Sequence, residues 1–355
     1  MVLTLAWGPC AAAAARPIQA APSAEGSIGL KLLDAPRGRE ADPRAHMYIV
    51  DHLAPGTVIH RRLQVTNTSD TDQRVDLYAA SAAIDGGTFN ADPDRTQNEL
   101  TTWVSVDDCA AQKAVAATPG ECGAPRDSSA ATPSAPRSLV RDVPAHGTAV
   151  VDLSVRVPPK ASAGERYAVV WAQVAGPADP AGNVRMVNRV GVRIYLDVGP
   201  GGEPPSDFQI GEVTPARAPD GTPEVVATVR NTGKRALDMT GSVSLADGPG
   251  SLSAGPFPAS LGTTLGIGST GRVTVLLDRQ LPAGPWTVRL TLASGLVRHT
   301  VTATVTFPAG FAAGAPVTPH AVDSASMTAG VSAVALGAVV LAAFGYGVVR
   351  RRRTG

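Results

Sequence analysis

Residues 63–77 read LQVTNTSDTDQRVDL. Leu63, Val65 and then Val75, Leu77 alternate with polar residues on either side of Asn67-Thr68-Ser69-Asp70. A period of two marks a half-buried strand. Asn tolerates the left-handed conformation and bonds its own backbone, so the polar gap reads as a turn. The device returns at residues 225–243, VVATVRNTGKRALDMTGSV, around Asn231. Asn67-Thr68-Ser69 also fits the glycosylation sequon, but Asn231-Thr232-Gly233 does not. A shared turn role explains both.

Working outward, each copy is followed by a Gly-led strand, a Pro/Gly stretch and a strand opened by an aromatic residue. This order aligns Asn67 with Asn231, Gly147 with Gly271, Gly164 with Gly284 and Tyr167 approximately with Trp286. The spacing shortens along the alignment because the first copy carries an insertion, 107–137, rich in Ala, Ser, Thr and Pro. Other strands alternate as plainly. Val151, Leu153, Val155 and Val157 share one face, as do Trp286, Val288, Leu290 and Leu292. Short strands punctuated by 37 Gly and 30 Pro, with few aromatics, argue for antiparallel sandwiches over long helices. The expected fold is therefore all-β: two tandem immunoglobulin-like β-sandwiches plus one C-terminal transmembrane α-helix.

The expected boundaries are a signal peptide over 1–24, a first sandwich over 25–198 and a linker over 199–206. A second sandwich follows over 207–308, then a stalk over 309–327, a membrane span over 328–349 and a basic tail over 350–355. The signal rests on an apolar N-terminal run followed by small residues. Cys10 lacks the small-residue context of a lipoprotein site. Residues 328–349 carry no charge, and 22 residues at ~1.5 Å each cross a hydrocarbon core of about 30 Å. Arg350, Arg351, Arg352 and Arg353 follow at once, and the positive-inside rule places them in the cytoplasm. The expected protein is single-pass in the cell membrane, with its N-terminal domains outside.

A net charge of +1 and the lack of a basic face or reading motif exclude a general nucleic-acid binder. The Arg, Ala, Gly and Pro bias suits a GC-rich bacterial coding sequence. Cys109 and Cys122 form an even pair in an extracytoplasmic segment and read as a disulfide. It would close a loop of about 14 residues and stabilise by about 3 kcal/mol in the chain-entropy model.

The chain shows no GxSxG elbow, HExxH or P-loop, so no catalytic, cofactor-binding or metal-ligating residue is assigned. His46, His52 and His60 lie close in sequence but match no compact metal motif. His299 shares strand parity with Val301, Ala303 and Val305 and reads as a satisfied core or rim histidine. Residues 85–94, DGGTFNADPD, offer calcium-type oxygens, but Asp-Gly-Gly is also a good hairpin turn.

Several stretches together resemble the WxL-interacting protein family. These are IGLKLLDAP from Ile28, HLAPGTVIHRRLQVTNTSDTDQRVDLYAASA from His52, DGGTFN from Asp85 and RVGVRIYLDV from Arg189. They cover most of residues 27–200. Ala168-Val169 stand where the family often has a Gly pair. The resemblance implies a peptidoglycan-binding domain, then a second, host-binding domain and a C-terminal membrane helix. The function it implies is a non-enzymatic, membrane-anchored surface protein that binds peptidoglycan or a cell-wall-associated protein, with no cofactor. The alternative is an envelope metal-handling protein or an assembly chaperone with an Ig-like domain.

Overall fold

The computed structural model describes residues 28–108, 138–178 and 185–322. The expected signal peptide, the Cys109–Cys122 pair, most of the insertion, the stretch 328–349 and Arg350 to Arg353 lie outside the described residues.

The first sandwich is built from β1 (Ile28–Leu32), β2 (Ile49–Leu53), β3 (Val58–Asn67), β4 (Gln73–Asp85), β5 (Thr88–Ala91), β6 (Val104–Asp108), β7 (Leu139–Val143), β8 (Thr148–Arg156), β9 (Gly164–Ala178) and β10 (Arg185–Val198). One sheet runs β1-β3-β8-β6. The other runs β2-β10-β9-β4, with β5 and β7 paired to β4. The chain starts in one sheet and crosses to the other, where β2 lies parallel to β10. The crossing carries α1 (Pro43–Met47), the only α-helix among the described residues. Asp42 caps it by accepting from the Arg44 N–H at 2.9 Å.

The second sandwich comprises β11 (Phe208–Arg217), β12 (Pro223–Asn231), β13 (Leu237–Asp238), β14 (Thr240–Gly248), β15 (Leu252–Pro258), β16 (Thr264–Leu265), β17 (Thr270–Leu276), β18 (Gly284–Ser294), β19 (Val297–Phe307) and β20 (His320–Ala321). Its sheets run β11-β12-β17 and β15-β14-β18-β19-β20, with β13 and β16 paired apart. The described residues are thus immunoglobulin-like and all-β, and among them no helix is long and apolar enough to cross a membrane.

Alternation sets the cores. Val151, Leu153, Val155 and Val157 are buried in the first. Trp286, Val288, Leu290 and Leu292 are buried in the second, beside Val301 and Val305 of β19 and in one core with Val225, Ala227, Val273 and Val275 of the other sheet. Asp152, on the outer face of β8, is also buried, because His60 covers it at 2.9 Å.

The repeated Asn turns are alike atom by atom. The Asn67 amide donates to the carbonyls of Thr71, Val143 and Pro144 at 2.8, 3.1 and 2.9 Å. The Asn231 amide donates to those of Arg235, Leu265 and Gly266 at 2.8, 3.1 and 3.0 Å. Each side-chain oxygen accepts from the backbone two residues on, Ser69 or Gly233. Each Asn ties a turn to the chain entering the opposite strand, and the buried, fully engaged amide of Asn67 leaves nothing free for a glycan.

The ladders correct two parts of the expected alignment. Asn67 N–H donates to Gly147 and Asn231 N–H to Ser269, so Gly147 corresponds to Ser269 and not to Gly271. Gly164 and Gly284 do correspond, each opening its strand at positive φ, 129° and 124°. Two residues on, Trp286 therefore matches Arg166, whose guanidinium lies over Trp103, while Tyr167 faces the other way. A slip of one residue exchanges sheet faces, which aromatic character alone does not reveal.

The expected stalk is another correction. Residues 309–322 are packed on the second sandwich, hydrogen-bonded to β11 and β19.

Replacing Asn67 or Asn231 by Ala strips buried carbonyls of their donor, at about 1–3 kcal/mol for each group left unpaired. Both variants are expected to lower the urea midpoint strongly. Lys160→Ala, exposed on the β8–β9 connection away from both turns, serves as the control.

Candidate functional site

The outer face of the β2-β10-β9-β4 sheet carries Tyr167 and Tyr195, with Phe89 from β5 beside them. Phe89 and Tyr195 rings lie 5.2 Å apart, Tyr167 and Tyr195 5.9 Å, and Tyr48 and Tyr195 5.7 Å. Ala236 of the second sandwich is buried among them. Two charged knots flank this apolar contact.

Arg235 is the first. It is 1 % exposed and sits two residues before the start of β13. Its Nε donates to Glu165 at 2.8 Å and its Nη1 to Glu203 in the linker. Its Nη2 reaches the carbonyls of Asp51 and Tyr195, both at 3.3 Å. Glu165 also accepts from the Ala236 N–H and the Tyr167 hydroxyl. Burial and the Glu165 charge push the Tyr167 hydroxyl far above the ordinary tyrosine value, so it remains a donor.

Asp238 is the second. It is held by Arg44 at 2.6 Å, Arg193 at 3.0 Å, Tyr195 at 2.7 Å and Thr264 at 2.9 Å. Burial and the Asp238 charge push the Tyr195 hydroxyl up in the same way. Burial opposes the Arg44 charge, but Asp238, Tyr195 and Glu165 together outweigh it, so its pKa is raised. Arg44 also stacks over the Tyr195 ring at 4.4 Å.

The expected hairpin at 85–94 has a role in the junction. Gly86 and Gly87 make its turn at positive φ, 57° and 78°, as a two-residue hairpin requires. The Gly87 carbonyl accepts from Thr264 N–H at 2.8 Å, so the tip docks on the second sandwich. The linker is pinned too: Gly199 N–H donates to Leu53 and Lys234 N–H to Pro205.

The histidines do not converge. His52 pairs with Asp197 at 2.6 Å, His60 with Asp152, and His46 with the Glu40 carbonyl. His299 sits at the rim against the Phe208 ring and pairs with Asp207 at 2.7 Å. Among the described residues no three His, Cys, Asp or Glu side chains gather as a metal site. A groove of about 450 Å³ beside β15 is lined by Leu252, Phe257, Leu281 and Trp286 together with Asp278 and Gln280.

One feature projects. β9 and β10, 15 and 14 residues long, pair along their length. β4 accompanies β9 only over 168–173, and β2 accompanies β10 only over 194–198. Beyond that, 174–178 and 185–188 pair only with each other and form a two-stranded arm. It exposes Met186 (67 %) and Val187 (43 %). Arg185 on the arm and Arg189 at its base are bound by neutral oxygens, the Gly176 carbonyl and the Gln173 amide. The strand lengths that create the arm were not legible in the sequence, because alternation continues past the point where neighbours stop.

No family model matches the chain, and no curated protein matches it. Among the solved structures to which the chain is similar are three chaperones. One is the class 5 fimbriae chaperone CfaA, at 11 % identity over 73 % of this chain and 96 % of that chain, with a TM-score of 0.31. The E. coli chaperone DraB gives 11 % over 77 % and 95 %, with 0.32. The Pseudomonas aeruginosa CupB2 chaperone gives 15 % over 74 % and 97 %, with 0.32. At such scores the likeness carries no argument about this chain.

Two predictions follow from the junction. Arg235→Met leaves Glu165, whose side chain is fully enclosed, without its counter-charge, a loss of about 3–5 kcal/mol. Proteolytic cutting within 199–206 is expected to rise sharply. Arg279→Ala, at an exposed pair, is expected to leave that cutting unchanged. The second concerns acid. The hydrogen bond from His299, then the Phe208 N–H, hold the Asp207 carboxyl below the usual carboxylate range. That tie is complete above the unfolded value near ~3.9 and is lost as pH falls through the lower folded value. Amide exchange at Phe208 should therefore accelerate in strong acid, and Asp207→Asn should abolish that dependence.

Proposed function

We propose that the chain is a non-enzymatic extracytoplasmic protein, anchored through 328–349, that binds other proteins by strand addition at the β9–β10 arm. The observation that carries this is the arm itself. Its outer backbone edges have no strand neighbour over 174–178, 185–187 and 189–193 among the described residues. A two-stranded ribbon is marginal alone, and an added strand completes its hydrogen bonds. Met186 and Val187 supply apolar contact beside those edges. The edge at β15 is a poorer acceptor, since Pro256 and Pro258 lack donors. The locked junction gives the arm a rigid base.

Two versions share this reading. In one, the partner is a wall-associated protein, the class implied by the WxL-interacting resemblance. In the other, it is a subunit held during assembly, as for a chaperone. The lifetime of the complex separates them. Direct binding of peptidoglycan is a second reading, favoured by Arg185 and Arg189, whose guanidiniums meet no carboxylate among the described residues and suit those of wall peptides.

The test incubates the full chain in detergent with insoluble peptidoglycan, and separately with wall-protein extract, with and without EDTA. Partner cross-links on the arm that vanish in a Met186→Asp, Val187→Asp variant support strand addition. Peptidoglycan retention lost in Arg185→Glu, Arg189→Glu supports the second reading. Binding unaffected by either variant overturns the arm as the site. Retention lost with EDTA overturns both metal-free readings.

A further inference from the structure

Residues 309–322 form a strap across the second sandwich. Arg217 N–H donates to the Ala312 carbonyl at 3.0 Å, Gly314 N–H to Pro215 at 2.7 Å, and Val213 and Val317 exchange bonds at 2.9 Å. The strap then crosses to the other sheet, where β20 pairs Ala321 with Val301 and His320 with Thr302. Val322 N–H donates to Thr300 at 3.0 Å. Gly314 lies where a Cβ would come within 2.8 Å of Pro215 and 2.9 Å of the Thr306 carbonyl, so the strap is seated between β11 and β19.

This route sets where the chain leaves. β20 runs antiparallel to β19, toward the β18–β19 turn. That turn abuts the first sandwich. A Cβ at Gly295 would lie 2.7 Å from Asp42, and Ser294 accepts from Asp238 N–H. His299, next to Thr300, pairs with Asp207 at the end of the linker. The chain therefore leaves at the waist between the sandwiches and not at the far end of the second.

Five residues, 323–327, separate Val322 from the apolar stretch at 328. Fully extended, that length reaches about 20 Å at ~3.3–3.6 Å per residue. A free stalk from 309 would reach about three times as far. Beside the exit, Leu296 is 67 % exposed at the turn and Arg298 is exposed two residues on. An apolar tip next to a cation fits the interface of an anionic bilayer.

We infer that the strap holds the waist against the membrane, with the turn bearing Leu296 and Arg298 as a lipid-contact surface. The inference rests on 328–349 spanning the bilayer and is independent of what the arm binds. Tethering within this reach raises the effective concentration of the turn at the surface.

The experiment places the full chain in nanodiscs of phosphatidylcholine and phosphatidylglycerol that include a head-group photo-crosslinking phosphatidylglycerol, and maps lipid adducts by peptide. Adducts on 294–299 as well as on the 328–349 region are expected. Gly314→Val, which drives the strap from its seat, should cut the 294–299 adducts several-fold and leave those at the span unchanged. Val317→Pro, which removes a strap donor, should act alike and covers the case that the first variant misfolds. Leu296→Asp, Arg298→Glu should also lose them. Adducts at the span without adducts at 294–299 in the unaltered chain overturn the inference. Adducts at neither overturn it through its premise. Arm binding is read separately and is unaffected by these outcomes.

Discussion

The structure depends on one buried guanidinium. Arg235 lies where two sandwiches, the linker and the Asp-Gly-Gly hairpin region come together, and its donors reach elements on both sides. A buried cation is tolerated only when paired and hydrogen-bonded. Here Glu165 and Glu203 supply charge, and the Asp51 and Tyr195 carbonyls fill the remaining donors. Removing Arg235 leaves the enclosed Glu165 without its counter-charge, so the two domains hold a single arrangement. A Pro/Gly-rich segment that composition marks as a linker is thereby pinned.

That constraint gives meaning to the edges of the sheets. A sandwich always has edge strands, and unpaired edges invite association. In this protein several are managed. Proline interrupts β15, and the strap lies along β11 and β19. The β9–β10 arm is extended instead, and it springs from the sheet that forms the junction. A recognition element on a rigid base loses less entropy on binding than one on a loose hinge.

Much of the fold was legible in residues alone. The period of two in Val151 to Val157 and in Trp286 to Leu292 named the core faces, because side chains alternate across a pleated sheet. The pair Asn67 and Asn231 marked an internal repeat, and both do the same chemistry. The alignment of Gly147 with Gly271 and of Tyr167 with Trp286 failed because residue type carries no register. His46, His52 and His60 are close in sequence, yet they meet the Glu40 carbonyl, Asp197 and Asp152, since α1, β2 and β3 carry them to different places. Residues 309–322 resembled a stalk by composition, but their backbone groups find partners on β11 and β19.

By itself the sequence determined the all-β class, the two repeated sandwiches and the turns that join their strands. These are local properties, set by alternation and by the few residues that accept turn geometry. The tertiary structure alone decided the locked junction, the projecting arm and the exit at the waist. Each of these depends on which distant groups meet: Arg235 with Glu165, Gly87 with Thr264, Val322 with Thr300. Such meetings arise from packing and register, and no single segment encodes them.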